Sequence, residues 1–272
     1  MRIKYLGTAA YEGVPSLFCN CPVCKKAREL GGRNLRSRSQ ALINGELLMD
    51  FGPDTLWHYQ TYGFDWENIC GCLITHSHSD HLYPEDICIA ARGYSHAHRP
   101  IRFYSAQSGY DKIREAADTS EGGVEAMLIE AGKRFTVGKY GVMPMWANHS
   151  ARTSPVIYSI SCKDKKMLYA HDTGAFPEKT WELLKKERRY DFLSLDCTGC
   201  LGLGGDWVDG HMSFGTVLKT VARMREEGIS DDKTVIVVNH FSHNGGQVYD
   251  EMLEETAKRG ITVSYDGLEI EF

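Results

Sequence analysis

The most informative segment of this chain is a short apolar run followed by a cluster of histidines. It reads Cys72-Leu73-Ile74-Thr75-His76-Ser77-His78-Ser79-Asp80-His81. The pattern predicts a buried strand that ends in a tight loop carrying four side chains able to bind metal. Imidazole and carboxylate groups suit zinc, manganese or iron. A single catalytic zinc needs fewer protein ligands than this loop offers, so the segment predicts two adjacent metal ions.

The composition is that of an ordinary globular protein. The 272 residues are 42% apolar and 25% charged, with a formal net charge of −5. Disorder, collagen and coiled coils are therefore excluded. The acidic balance disfavours nucleic acid as a partner, because nucleic-acid binding uses clustered Lys and Arg. No apolar run reaches the roughly 18 residues of a membrane span, and the first residues lack the apolar part of a signal peptide. We therefore expect a cytoplasmic protein with no membrane partner.

Short apolar runs alternate with helical segments along the chain. Strands are predicted at 2–6, 39–44, 46–50, 70–75, 101–104, 133–137, 140–147, 154–161, 166–170, 191–195, 233–238 and 262–271, the last as one strand or two. Helices are predicted at 54–62, 84–92, 107–117, 178–188, 213–227 and 247–258. This order predicts one α/β domain over residues 1–272, with two sheets inside and helices outside.

The histidine-rich loop resembles the His-x-His-x-Asp-His signature of the metallo-β-lactamase superfamily. Four other segments resemble the remaining motifs of that superfamily, in the same order: Leu47–Asp54, Met145–Ser150, Leu168–Gly174 and Val235–His240. The resemblance implies an αββα sandwich in which two mixed sheets pack face to face. It also implies that Asp50 positions the metal-binding loop.

The pattern of the superfamily implies two ligand sets that share one bridging carboxylate. The sets are His76, His78 and His149 for one ion, Asp80, His81 and His240 for the other, and Asp172 as the bridge. Asp80 is also expected to take part in catalysis. The two divalent ions are expected to be zinc or manganese, and the same ligands also accept iron.

A second candidate metal site lies near the start of the chain. Cys19, Cys21 and Cys24 place three thiols within six residues, and a tetrahedral structural zinc needs a fourth ligand from elsewhere. His243 is the candidate, because it follows His240 by three residues and the two side chains can face different sites. We therefore expect one structural zinc at a Cys-rich loop of about residues 19–24.

The combination of this Cys loop with His243 resembles the PhnP-type phosphodiesterases, which act on a five-membered cyclic phosphate of ribose. The segments Leu6–Ala10 and Arg36–Ala41 add to the resemblance. It implies hydrolysis of a small, cyclic phosphodiester of the 5-phosphoribosyl 1,2-cyclic phosphate type, with a metal-bridging hydroxide as nucleophile. The expected partner is thus a small anionic phosphodiester, and a homodimer is compatible with the sequence.

His211 is the candidate proton donor for the leaving alkoxide. It lies in the segment Gly204–Ser213, at the start of a predicted helix, and a helix N-terminus favours anions. In the PhnP-type family a histidine in this region is assigned to substrate binding or acid catalysis. We expect the variant His211→Ala to keep its metal and to lose turnover.

Other cysteines and histidines are predicted to have structural or surface roles. Cys197 and Cys200 are expected to be core thiols, because they follow a strongly apolar run. His96 and His98 are expected to be exposed, and His58 is expected on a helix surface.

Other functions stay open at this point. A PqqB-like oxidoreductase shares the fold and the Cys loop but needs redox-active iron, and a full set of seven ligands favours hydrolysis. A tRNase Z-like nuclease is disfavoured because the chain has no long basic insertion for RNA. A protein that binds metal without turnover is also compatible with the sequence.

Overall fold

Two seven-stranded sheets form the centre of the structure, a computed structural model that describes residues 1–96, 99–202 and 209–272. The first sheet contains β1 (Arg2–Gly7), β2 (Gln40–Ile43), β3 (Leu47–Met49), β4 (Gly71–Leu73), β5 (Ile101–Ser105), β6 (Val124–Leu128) and β14 (Glu269–Glu271). The second contains β7 (Phe135–Val137), β8 (Tyr140–Trp146), β9 (Val156–Cys162), β10 (Lys165–Ala170), β11 (Phe192–Asp196), β12 (Val235–Asn239) and β13 (Ile261–Val263). The strand orders are β14-β1-β2-β3-β4-β5-β6 and β13-β12-β11-β10-β9-β8-β7.

Both sheets are mixed, and each is built in the same way. An antiparallel part (β14 to β3, and β7 to β10) continues into a parallel part (β3 to β6, and β10 to β13). The helices are α1 (Pro22–Leu30), α2 (Thr55–Tyr62), α3 (Gln107–Ala117), α4 (Glu178–Glu187), α5 (Phe214–Glu226) and α6 (Tyr249–Ala257). Parallel strands need crossover connections, and helices supply most of them here.

One large core cluster lies between the two sheets. Tyr5 of the first sheet is fully buried and belongs to one cluster with Tyr158, Tyr169 and Phe192 of the second. A separate cluster packs α4 and α5 against the outer face of the second sheet. A third cluster covers the outer face of the first sheet and includes Ile113 of α3. The prediction of an αββα sandwich is therefore confirmed.

Three local predictions were wrong. The segment 84–92 forms a 3₁₀ helix, Pro84–Ala90, instead of an α-helix. Strand β6 was missed because its Glu, Ala, Met and Leu residues favour helices and several of its side chains are exposed at a sheet edge. Helix α1 was also missed: the expected Cys-rich loop ends at Cys21, which caps the helix, so Cys24 lies in the first helical turn.

No helix within the described ranges has the length and apolar character needed to cross a membrane. His98 and residues 204–208 of the predicted substrate-binding segment lie outside the described part of the chain.

Candidate active site

Polar side chains follow the ends of several strands at one edge of the sandwich. Strands β3 and β4 are parallel, as are β10, β11 and β12, and β8 runs in the same direction as β10 because both are antiparallel to β9. The side chains delivered there are Asp50, His76, His78, Asp80, His81, His149, Asp172, Asp196 and His240. Residues far apart in the chain therefore meet at one site.

The first cluster at this edge consists of three imidazoles. His76 Nε2 lies 2.8 Å from His78 Nδ1, and His149 Nε2 lies 3.2 Å from the same atom. The ring nitrogens of the three side chains all lie within 4.8 Å of one another. This is the set expected to hold the first metal ion.

The second cluster consists of Asp80, His81 and His240, whose ligand atoms also lie within 4.8 Å of one another. Asp172 connects the two clusters. Its Oδ2 is 2.7 Å from His81 Nε2 and 2.8 Å from His240 Nε2, whereas its Oδ1 is 3.7 Å from His149 Nε2. The two carboxylate oxygens thus face different clusters, as a bridging ligand requires.

The chemistry of these side chains fits a pair of divalent ions. His81 Nε2, His240 Nε2 and Asp172 Oδ2 are buried, yet none of them has a hydrogen-bond partner among the described residues despite their short separations. Buried polar atoms without partners are rare in folded proteins. Three such atoms converging on one point are accounted for by a shared cation, and a donor set of nitrogen and oxygen suits zinc, manganese or iron.

The imidazoles are oriented by hydrogen bonds on their other ring nitrogens. His81 Nδ1 lies 2.7 Å from Asp50 Oδ2, and His149 Nδ1 lies 2.9 Å from the Gly210 carbonyl oxygen. Asp50 also accepts a 2.7 Å hydrogen bond from the Thr75 N–H, so it holds the start of the histidine loop. Partners of this kind fix the tautomer and the ring direction of metal ligands.

His211 lies beside the second cluster. Its Nδ1 is 3.1 Å from Asp196 Oδ2 and 3.6 Å from Asp172 Oδ1. Burial alone would lower the pKa of His211, but the Asp196 carboxylate outweighs it and raises the pKa to about 9. Burial likewise acts to raise the pKa of Asp172, while His240 and His81 hold it well below its usual range. The site therefore combines a carboxylate that stays ionised with an imidazole that retains its proton.

A pocket of about 370 Å³ opens onto these residues. Its lining includes His78, Asp80, His149, Asp172, Thr198, His211 and His240 from the strand ends, and Ala10, Tyr11, Glu12, Ser242 and Asn244 at two neighbouring loops. The expected catalytic residues and most of the expected ligands thus border one cavity of small-molecule size.

The four expected ligands of the structural zinc also come together. His243 Nδ1 lies 3.4 Å from Cys21 Sγ and 3.7 Å from Cys19 Sγ, and Cys24 completes a group whose ligand atoms lie within 4.8 Å. Burial acts to raise the pKa of the Cys21 thiol, but the N–H of Cys24 and the side chain of His243 lower it to about 6. Three thiols and one imidazole match a structural zinc site.

The remaining sequence expectations have mixed outcomes. Cys197 and Cys200 are fully buried core thiols, and His96 is exposed, as expected. The expectation for His58 was wrong, because its side chain is only 1% exposed. Asp196 was not recognised as a site residue, although it ends an apolar strand just as Asp172 follows one. That pattern was the available signal.

The match to a family model defines the class of this protein. The chain belongs to the beta-lactamase superfamily, because the model described as beta-lactamase superfamily domain matches residues 46–238. The matched range contains the histidine loop, His149 and Asp172, and His240 follows it by two residues. The protein is thus a member of a metallo-hydrolase superfamily, with side chains that fit a dinuclear site.

Solved structures share the fold over the whole chain. Zinc-bound PqqB from Methylobacterium extorquens has a TM-score of 0.77 at 18% identity and covers 100% of both chains. A diphosphatase of the PhnP family has a TM-score of 0.73 at 20% identity, covering 100% of this chain and 97% of its own. Human tRNase Z, short form, has a TM-score of 0.66 at 18% identity, covering 100% and 99%. At these identities the likeness shows the fold and not the reaction.

One curated relative matches a limited part of the sequence. An octanoyltransferase from Porphyromonas gingivalis (strain ATCC BAA-308 / W83) is 30% identical over 123 residues, or 42% of this chain. The match spans 22% of the length of that protein.

Proposed function

We propose that this protein hydrolyses a small, cyclic phosphodiester at the dinuclear site. The observation that carries the proposal is the position of Asp172 between two clusters of ligands, with His211 at the pocket wall and the buried Asp196 in contact with His211. In-line displacement at phosphorus needs charge neutralisation on the attacking and leaving sides together. Two adjacent cation sites and a neighbouring proton donor match that requirement.

Some side chains of the site are proposed to bind and orient the metal ions, and others to transfer a proton. Two divalent ions bound here would supply Lewis acidity and activate a water as the nucleophile. Asp50 and the Gly210 carbonyl keep His81 and His149 in fixed orientations. Asp80, a member of the second ligand set, borders the pocket and is placed to contact the nucleophile.

His211 is assigned the proton transfer to the leaving oxygen. Asp196 accepts a hydrogen bond from His211 Nδ1 and fixes the direction of the ring. The same carboxylate accepts a 2.9 Å hydrogen bond from the Met212 N–H, so the backbone after His211 is held with it. An alkoxide departs slowly unless an acid protonates its oxygen, and His211 is placed to give that proton.

The proposed type of substrate is a five-membered cyclic phosphate of ribose. The Cys19, Cys21, Cys24 and His243 cluster agrees with the PhnP-type pattern, but it does not distinguish the two reactions because PqqB-like proteins share the Cys loop. The similarity in fold to a PhnP-family diphosphatase agrees with it. We also infer a reducing, cytoplasmic location, because none of the nine cysteines forms a disulfide.

Elemental analysis and a phosphodiesterase assay on the same sample test the proposal. We expect about three metal ions per chain, one of them resistant to chelation, together with cleavage of an aryl phosphodiester. The variant His78→Ala should lose metal and activity. His211→Ala should keep its metal and lose turnover, and His96→Ala serves as the matched control because His96 is exposed and belongs to neither cluster.

Two results would overturn this function. Redox-active iron in a sample that cleaves no phosphodiester would favour an oxidoreductase related to PqqB. Cleavage restricted to tRNA precursors would favour a nuclease related to tRNase Z.

A further inference from the structure

We propose that Glu12 makes this active site selective for a cyclic phosphodiester whose remote end carries no second phosphate. The favoured remote group is neutral or cationic and donates hydrogen bonds, as a sugar hydroxyl does. The inference rests on the proposed phosphodiesterase function and names the substrate class of that same pocket. It departs from the 5-phosphorylated substrate that the PhnP-type resemblance implies.

Glu12 is placed at the pocket by a turn that two other segments hold. The N–H of Ala10 donates to the carbonyl oxygen of Phe241 (2.9 Å), and the N–H of Gly13 donates to Ala10 (3.0 Å). Val14 and Arg36 then exchange a pair of backbone hydrogen bonds of 2.7 and 3.0 Å. The turn that carries Glu12 is therefore fixed on both sides, and its side chain is presented to the cavity by the backbone.

One carboxylate oxygen of Glu12 is already engaged. Its Oε1 accepts a short hydrogen bond from the Ser242 hydroxyl and lies 3.7 Å from His243 Nε2. Its Oε2 has no hydrogen-bond partner among the described residues. The side chain is 25% exposed and lines the pocket. Glu12 thus offers a substrate one free acceptor in a fixed position.

The charges of the residues that line the pocket determine which substrate groups can bind beside Glu12 Oε2. The described lining residues include no Lys or Arg. The acidic lining residues are Asp80, Asp172 and Glu12. The first two belong to the metal-ligand sets and His211 is assigned to the leaving oxygen. Among the described lining residues, Glu12 is therefore the charged side chain left to meet the rest of the substrate.

Arg38, a cation near this wall, is already engaged by other residues. Its Nε donates to the Tyr11 carbonyl oxygen, and its Nη1 forms a 2.8 Å ion pair with Asp54. It is not one of the residues that line the pocket.

A second phosphate would therefore meet an unfavourable environment. Phosphate groups are normally bound by Arg, Lys or backbone N–H groups, and the ions at the dinuclear site are needed by the scissile phosphate. A carboxylate facing a phosphate repels it, and in a partly buried pocket this costs about a factor of ten or more in affinity. A hydroxyl or amine at that place would instead donate to Oε2.

Two substrates that differ by one phosphate isolate this effect. Ribose 1,2-cyclic phosphate and its 5-phosphorylated form are assayed with the metal-loaded full-length protein. We expect the unphosphorylated compound to have a kcat/KM at least about tenfold higher, with most of the difference in KM. The proteins compared are wild type, Glu12→Gln, Glu12→Lys and the control Glu29→Gln, an exposed carboxylate of α1 outside the pocket.

The variants separate charge from structure. Glu12→Gln keeps the size of the side chain and should shrink the ratio of the two kcat/KM values severalfold, and Glu12→Lys should reverse it. Glu29→Gln should leave the ratio unchanged. Zinc content, measured on each protein, reports whether the contact between Glu12 and His243 has been disturbed.

The possible failures are distinguishable. If a fully metal-loaded protein cleaves neither substrate nor an aryl phosphodiester, the proposed function fails. If both substrates are cleaved and the 5-phosphorylated one is preferred or equal, the function stands and the selectivity is refuted. A ratio that does not move in Glu12→Gln and Glu12→Lys, at unchanged zinc content, also refutes the role of Glu12.

Discussion

The buried carboxylate of Asp196 lies 3.1 Å from Nδ1 of His211 at the wall of the pocket. Its other oxygen accepts hydrogen bonds from the N–H of Met212 and the N–H of Thr198. Asp196 is therefore surrounded by donors that leave it no freedom to rotate. Asp196, the last residue of β11, therefore orients His211, the histidine assigned to proton transfer. Asp196 belongs to neither of the two expected ligand sets.

We expect Asp196→Asn to lower kcat by about 10- to 100-fold while the metal content stays the same. The amide can still accept from Met212, but its NH₂ group would then face His211 Nδ1 and favour the wrong tautomer. The measurement is steady-state kinetics with elemental analysis of the same sample. The double variant with His211→Ala should be no slower than His211→Ala alone, because the two residues act as one unit. Additive losses would show that Asp196 acts independently of His211.

Gly52 is expected to be essential for the second ligand set. A Cβ atom at this position would lie 2.0 Å from the carbonyl oxygen of Asp80. Gly52→Ala must therefore push the backbone of Asp80, and we expect loss of metal from that cluster and a lower melting temperature. Metal content and thermal unfolding are measured together, with Gly93→Ala as the control because its Cβ would meet open space. Full metal content in Gly52→Ala would contradict the expectation.

The cysteine cluster is expected to support the active site through the segment that joins them. His240 and His243 are three residues apart and face different clusters. We expect Cys21→Ser to lose one zinc per chain, to unfold at a lower temperature and to lose part of its kcat/KM. Cys88→Ser is the control, since Cys88 belongs to none of the metal-ligand clusters found among the described residues and its thiol donates a hydrogen bond to the carbonyl oxygen of Glu85. Equal zinc content in Cys21→Ser and Cys88→Ser would show that the cysteine cluster does not bind zinc.

The two ligand clusters of the candidate active site could be predicted from the sequence because each of their ligands follows an apolar strand. The histidine loop follows β4 and Asp172 follows β10, so local patterns were enough to find them. Motif order then implied which side chains share an ion. The αββα fold followed from the same motifs and from the alternation of strands and helices.

Other parts of the site depend on distant contacts and left weaker signals. Glu12 reaches the pocket through the pairing of Ala9 with Phe241, which are more than two hundred residues apart. Nothing in the sequence around Glu12 indicates that pairing. Asp196 gave a usable signal at its strand end, but its bond to His211 depends on how the chain returns from β11 to α5.

His58 shows how tertiary contacts can reverse the expected face of a helix. In α2 the apolar residues Leu56 and Trp57 are 56% and 49% exposed, whereas His58 is 1% exposed. The imidazole is held inside by two hydrogen-bond partners, Gln40 Oε1 at Nδ1 and Ser37 Oγ at Nε2, both at 2.7 Å. The expectation that His58 lies on the helix surface was therefore wrong.

The buried His58 leads to a pH-dependent stability. Burial lowers the pKa of His58 from 6.5 to about 4, and the nearby Asp54 carboxylate opposes this only in part. A depressed pKa means that the unfolded chain binds the proton first. The contribution of His58 is therefore fully present above pH 6.5 and is lost as the pH falls toward 4, by about 3 kcal/mol in total.

Urea unfolding of wild type and His58→Gln between pH 4 and 7.5 tests this sign. Other titrating groups, including Asp266 beyond Ser37 and the metal ligands, are present in both proteins, so their effects largely cancel in the difference. We expect wild type to lose more stability than His58→Gln as the pH falls, because the glutamine side chain of the variant has no proton to gain. Parallel curves over the whole range would show that His58 carries no such shift. A difference of opposite sign would show that the folded protein stabilises the charged imidazole.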